Sequence, residues 1–237
     1  MSTTATDNQS PTAPTALSAE QVFDSVGPAY EAAFEGLPEQ LDSVQWLLAK
    51  LAATGRSKTA KIVDIGCGTG KPVCWGLAEA GHDVLGIDIS GAMIAAAKER
   101  VPKASFAQMD IRDFEPAPGS FDAVTIYFSL IAGVTQAEIR SFMAKVYGFL
   151  KPGGLFVFAT VPLSVEGLQI SWMGRPVVVS SLAPEEAAAA IRDAGFKIER
   201  EALSKFTPKG AAAGICNEEE VWEEPHLFVY AQKPDSV

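Results

Sequence analysis

Hydrophobic positions along this chain change their spacing in three stages. Residues 1–19 carry Ser, Thr, Ala and Pro with almost no large apolar side chain. Such a segment buries too little surface to offset its ordering entropy, and a disordered tail is expected. Between 20 and 53 apolar residues recur at helical spacing: Val22, Phe23 and Val26 form one stripe, and Leu41, Val44, Leu47, Leu48 and Leu51 a second. Gly27-Pro28 and Gly36-Leu37-Pro38 punctuate them. From Lys61 onward short apolar runs alternate with helical patterns. Strands are predicted over 61–65, 84–88, 104–109, 121–128 and 155–161. Helices are predicted over 72–80, stopped by Gly81, over 90–100 with Ser90 as its cap, and over 136–150 with Ile139, Phe142, Met143, Val146 and Phe149 on one side.

The run 121–128 is nearly all apolar, as a central parallel strand covered on both faces should be. Strands separated by helices imply right-handed crossovers and a parallel sheet. After 161 the pattern changes. A helix over 184–194 ends at Gly195, and strands over 196–203 and 227–232 have no helix between them, which reads as an antiparallel hairpin at the sheet edge. The expected fold is α/β: a Rossmann-like, doubly wound, mostly parallel seven-stranded sheet with a C-terminal antiparallel hairpin. One domain over 20–237, with an N-terminal helical cover, would follow the tail.

Composition narrows the function classes. The chain has 237 residues, 48% hydrophobic and 20% charged, which is ordinary for a globular protein with a full core. Its net charge is −10, and with no basic patch to counter that, a nucleic-acid partner is not expected. No apolar run reaches the ~20 residues that span a bilayer, and the start lacks the basic and apolar segments of a signal peptide, so a cytoplasmic protein without a membrane partner is expected. Cys67, Cys74 and Cys216 form no CxxC pair, and the only histidines are His82 and His226. A structural zinc site needs four closely spaced ligands, so no metal is expected.

Chemistry concentrates at Val63-Asp-Ile-Gly-Cys-Gly-Thr-Gly70, which ends a predicted strand and opens a helix. Glycines at 66, 68 and 70 let the backbone turn sharply and approach a ligand closely. The dinucleotide fingerprint is GxGxxG; the tighter GxGxG here suits a ligand whose amino-acid part and ribose lie against the loop. Asp88 ends the second strand, 22 residues after Gly66, where a carboxylate can accept from both ribose hydroxyls. Asp110 and Ile111 end the third, where an adenine edge would lie.

In register along the chain stand Asp64-Ile-Gly-Cys-Gly-Thr-Gly70, Gly86-Ile-Asp-Ile-Ser90 followed by Met93, Asp110-Ile-Arg-Asp113, Phe121-Asp122 and Leu150-Lys-Pro-Gly-Gly154. With these motifs the chain resembles UbiE-like, small-molecule class I methyltransferases over about 19–233. The resemblance implies S-adenosylmethionine as cofactor. It assigns Gly66, Cys67 and Gly68 to the methionine part through backbone atoms, Asp64 to orienting the loop or the cofactor ammonium, and Asp88 to the ribose. Ile89 and Met93 would pack on the adenine, with Asp110 and Ile111 at its edge. Tyr127 would sit near the sulfonium and the incoming nucleophile, and the segment 29–34 implicates Tyr30 in closing over the cofactor.

Plainer readings stand beside these. Asp110 could cap Arg112, Met93 could be ordinary core, and His226 could be structural rather than a general base. Cys67 is not expected to be redox-active, since no resolving cysteine is adjacent. Relatives often carry histidine just after the fourth strand; Ser129 and Leu130 stand there instead. The stretch 169–176 lies where a substrate lid belongs, so Trp172, Met173 and Arg175 either line a pocket or pack an edge ribbon. The expected function is methyl transfer to a small apolar or aromatic acceptor at O, N, S or C, with Tyr30, Tyr127 and Trp172 around the acceptor and Tyr127 or His226 as candidate catalytic groups. The alternatives are a pericyclase- or cyclase-like enzyme using the sulfonium for electrostatics, and a non-catalytic binding protein on the same scaffold. Monomer and homodimer are both open.

Overall fold

A computed structural model describes residues 15–53 and 59–235. Three N-terminal helices, α1 (Ala19–Val26), α2 (Ala29–Ala33) and α3 (Pro38–Ala53), precede an alternating body: β1 (Lys61–Ile65), α4 (Val73–Glu79), β2 (Asp83–Asp88), α5 (Gly91–Arg100), β3 (Ser105–Gln108), β4 (Phe121–Tyr127), α6 (Gln136–Phe149) and β5 (Leu150–Thr160). Then come β6 (Val165–Trp172), β7 (Arg175–Ser181), α7 (Pro184–Asp193), β8 (Lys197–Phe206) and β9 (Glu224–Gln232). The main sheet runs β3-β2-β1-β4-β5-β9-β8. Its first five strands are parallel, and β9 inserts antiparallel between β5 and β8. This is the expected seven-stranded class I methyltransferase sheet with its C-terminal hairpin.

The central strands are buried on both faces because helices cover both. Val124, Ile126, Phe156, Phe158 and Val229 pack with Ile139, Met143, Val146 and Ile191 of α6 and α7 on one side. On the other, Ile62, Val157, Phe228 and Tyr230 meet Val44 and Leu47 of α3 and Cys74 and Leu77 of α4. Strand order reverses between β1 and β4, and ligands in open α/β sheets sit at the carboxyl ends beside such a switch point.

One expectation needs correction. Of the tail predicted over 1–19, residues 1–14 lie outside the described residues. Order begins earlier than 20: Leu17 N–H donates to Pro176 O at 2.7 Å, and Ser18 closes a capping box with Gln21 at the start of α1. The cap supplies local partners that composition does not reveal. The stretch 169–176 belongs to a separate two-stranded ribbon, β6-β7, the ribbon alternative of the two readings. Isolated bridges Leu17–Val177 and Ala132–Val179 tie that ribbon to the N-terminus and to the segment after β4.

Candidate active site

At the end of β1 the chain turns through Gly66, Gly68 and Gly70, at φ +75°, +53° and +78°. Gly66 is also demanded by space, since a Cβ there would lie 2.1 Å from Ser129 Cβ. The donors of this loop point inward. Gly66 and Cys67 N–H both donate to Ile87 O, at 2.7 and 2.9 Å, and Gly70 N–H donates to Cys67 O at 2.9 Å. Gly68 N–H donates to Asp88 Oδ2 at 2.8 Å. A phosphate-binding loop keeps such N–H groups free for the anion. In this loop the N–H groups of Gly66, Cys67, Gly68 and Gly70 are used internally, and its carbonyl and carboxylate oxygens suit an ammonium.

The carboxylates around the loop are held by different partners. Asp88 also accepts from Ser90 N–H at 2.9 Å; burial raises its carboxyl above the ordinary range against the pull of these N–H bonds. Asp64 accepts from Thr125 Oγ1 at 2.7 Å and from the Cys74 thiol at 3.4 Å, and burial pushes its carboxyl up to about 6. The plainer reading holds for the Asp110 side chain. Both its oxygens accept from Arg112, Nη2 at 2.6 Å among them, and this pairing keeps its carboxyl below the usual range.

All these elements surround one cavity of about 630 Å³, within the range of small-molecule and cofactor sites. Its lining includes Tyr30, Asp64, Gly66, Cys67, Gly68, Asp88, Ile89, Met93, Asp110, Ile111 and Tyr127, the residues expected at the cofactor. The charged side chains around it are Glu31, Glu35, Asp64, Asp88 and Asp110 against Lys71 and Arg112. Arg112 is bound to Asp110, and Lys71 lies 4.0 Å from Glu31. The cavity therefore favours a cation or a neutral molecule over a polyanion. A sulfonium-bearing cofactor with an ammonium group fits that donor set: Asp88 for the ribose, Asp64 and the loop carbonyls for the ammonium, Ile89, Met93 and Ile111 for the adenine.

The acceptor side departs from expectation in three places. The Tyr127 ring lines the cavity, but its hydroxyl lies 2.7 Å from Ser43 Oγ, which itself bonds Gln40 O. Burial raises that phenol far above its usual range, so Tyr127 does not serve as a base. Trp172 does not line the cavity. It stands behind Tyr30 and Phe34, ring centres 6.5 Å from each, with Phe23 at 5.8 Å, and its Nε1–H donates to Glu224 Oε1 at 3.0 Å. Its role is to back the aromatic wall rather than form a lid. His226 does not line the cavity either; it is fully buried behind Phe128. Tyr30 does line it, and burial together with Glu224 and Asp88 keeps its phenol protonated.

Several site residues carried no readable signal. Asp24 of α1 accepts from Ser90 Oγ at 2.6 Å and Ala92 N–H at 3.2 Å. Glu31 of α2 accepts from Thr69 Oγ1 at 2.9 Å and pairs with Arg100. These two carboxylates clip the N-terminal cover onto the cofactor loop and both ends of α5. The Cys67 thiol donates to Gly68 O at 3.7 Å and the Cys74 thiol, in the first turn of α4, to Asp64 Oδ2 at 3.4 Å. Exposed Leu41 and Trp75 stand at the apolar rim.

The fold is that of class I methyltransferases, and the glycine loop and its cavity resemble an S-adenosylmethionine site. Residues 62–154 match the family profile described as a methyltransferase domain. The demethylmenaquinone methyltransferase of Beutenbergia cavernae is 34% identical over 138 residues, covering 58% of this chain and 55% of that protein. The chain spans about half the length of the curated relatives it matches. A solved S-adenosylmethionine-dependent methyltransferase from Methanosarcina mazei superimposes with a TM-score of 0.64 at 19% identity, covering 78% of this chain and 98% of that one. The cyclase SpnF does so with a TM-score of 0.61 at 20% identity, covering 92% and 96%. Among the described residues no helix is long and apolar enough to cross a membrane.

Proposed function

We propose that the protein transfers a methyl group from S-adenosylmethionine to a small, neutral, apolar or aromatic acceptor. The observation that carries the reading is the glycine loop with its N–H donors already used, set in a cavity whose charge is mostly acidic. That arrangement suits a cationic cofactor and disfavours a diphosphate. The cofactor brings its own activated methyl group, so the protein's task is positioning and exclusion of water. Tyr30, Phe34, Tyr127 and Phe128 supply flat apolar surface on the acceptor side. Lys71 and Arg112, the cations of the lining, each face a carboxylate, which argues against a multiply charged carboxylic acid as acceptor.

A second reading, in which the sulfonium serves as fixed electrostatics for a cyclisation, draws on the absence of histidine from the cavity lining. Calorimetry should show binding of S-adenosylmethionine and S-adenosylhomocysteine and none of NAD; preferential NAD binding would overturn both readings. Mass spectrometry of an aromatic metabolite panel incubated with the cofactor separates them, since methyl transfer adds one methyl group per product and produces S-adenosylhomocysteine, whereas cyclisation leaves the cofactor intact.

A further inference from the structure

Behind the acceptor wall lies a polar group of side chains that the reading above does not use. His226 sits on β9 on the same face as Phe228 and Tyr230, which pack with Tyr127 and α3. Its Nε2 lies 3.3 Å from Glu224 Oε2, and Glu224 is itself buried and held by Trp172. Directly across the ladder stands Ser204 of β8, the register partner of His226. His226 Nδ1 and Ser204 Oγ are both buried and have no hydrogen-bond partner among the described residues. Buried polar atoms are paired with few exceptions, because an unpaired one costs about 1–3 kcal/mol. Two exceptions facing each other on neighbouring strands mark a place built to receive a polar group.

The wall between this pair and the cavity is thin. Phe128 lines the cavity, and its ring centre is 4.5 Å from that of His226. Phe206 stacks 6.0 Å from the same imidazole. Phe128 also holds φ at +57°, a left-handed backbone uncommon for a bulky side chain; such strain collects at ligand clamps and switch regions.

We propose that Ser204, Glu224 and His226 form a second, polar subsite of the cavity, closed by Phe128 in this state, that takes the hydroxyl or amine of the acceptor. Glu224 fixes the imidazole tautomer with its proton on Nε2, leaving the Nδ1 lone pair as the base, the logic by which a carboxylate orients a catalytic histidine. When Phe128 turns aside, the acceptor's heteroatom donates to Nδ1 and accepts from Ser204 Oγ–H. His226 Nδ1 would take the proton, leaving the heteroatom's electron pair for the methyl group that S-adenosylmethionine would supply, whose carbon–sulfur pair would stay on sulfur as a neutral thioether. Glu224 balances the imidazolium until the proton leaves with product release. This rests on the methyltransferase reading, but the following measurements do not depend on turnover.

Histidine occurs at only two positions, 82 and 226, so nitrogen-15 spectra of the imidazoles are readily assigned with His82→Gln. In the protein loaded with S-adenosylhomocysteine, His226 should be neutral with an unprotonated Nδ1; a proton found on Nδ1 overturns the proposal. Diethylpyrocarbonate, read by mass spectrometry with half-exposed His82 as internal reference, should modify His226 slowly in the natural protein and about tenfold or more faster in Phe128→Ala, as removal of a covering side chain predicts. Equal rates in the two proteins sink the gate. Phenol, the simplest aromatic hydroxyl, should move the Nδ1 resonance, and at lower concentration in Phe128→Ala. No response to phenol in a protein whose His226 does react with the reagent would show a niche for water rather than for the acceptor, and the subsite assignment falls. Ser204→Ala should weaken the phenol response without lowering the melting temperature; a loss of stability instead would mark Ser204 as structural. Failure of the methyltransferase reading would show separately, as loss of S-adenosylhomocysteine binding.

Discussion

The two halves of the cavity are built differently. The half proposed for the cofactor is mostly backbone: a glycine loop, the ends of β1 and β2, and two carboxylates bonded to loop or strand neighbours. The half proposed for the acceptor is side chains from α1, α2, α3 and the residues after β4, backed by rings of the β6-β7 ribbon and β9. Backbone geometry of the first kind tolerates little change and serves one ligand. A mosaic of rings can be altered piece by piece, which is how one scaffold comes to accept different molecules.

Five substitutions sharpen this contrast. Gly66→Ala should be the most damaging, because the new Cβ would lie 2.1 Å from Ser129 Cβ at a φ of +75°. Cofactor affinity by calorimetry should fall more than about 100-fold, close to 2.7 kcal/mol. Gly68→Ala is the internal comparison: it meets nothing within 4 Å, so it should cost only the left-handed strain of roughly 1–2 kcal/mol. If the two behave alike, close packing of the loop on Ser129 is not what the site requires. Next, Asp88→Ala removes the partner of Gly68 N–H and Ser90 N–H along with the expected ribose contact, and affinity should drop about tenfold or more with circular dichroism unchanged.

A subtler effect concerns pH. Asp64, at about 6 in the folded protein, is raised above its unfolded value. Its contribution to stability is therefore fully present below the unfolded pKa and is lost as pH rises through about 6. Binding runs the other way, since a cationic cofactor favours the ionised carboxylate. Cofactor affinity should weaken as pH falls below about 6, and Asp64→Asn should flatten that dependence in calorimetric titrations from pH 5 to 8. An unchanged slope in the variant would assign the titration elsewhere. The smallest effect is expected from Glu31→Gln, which loosens a partly exposed clip to Arg100 and Thr69. Dissociation of S-adenosylhomocysteine by stopped flow should quicken roughly threefold.

The same division explains what could be read from the chain. Strand and helix ends of the βαβ body were legible because each is announced locally, by Gly81, by Ser90 at its cap, by the apolar run of β4. So was the lining of the cavity on the side of the glycine loop, whose residues lie on consecutive elements. Where reading stopped, the deciding contacts join distant positions. Nothing near Glu31 announces Thr69 or Arg100, and nothing near Asp24 announces Ser90. Trp172 and His226 stand out in the sequence, but their depth behind Tyr30 and Phe128 follows from the ribbon's separation from the sheet and from the β8-β9 register. Tyr127 was placed at the cavity by its strand end, while the Ser43 hydroxyl that occupies its phenol comes from a helix 84 residues away in sequence.

The clips made by Asp24 and Glu31 imply an order of events. Both fasten the cover to the elements proposed to hold the cofactor, and the same cover supplies Phe23, Tyr30 and Phe34 to the cavity. Cofactor and acceptor then share one door. A cofactor would have to enter before the clips form, and spent S-adenosylhomocysteine would leave only after the methylated product has freed the aromatic wall. Steady-state kinetics would be sequential and ordered, cofactor on first and its demethylated form off last, with that form as the competitive inhibitor of the cofactor.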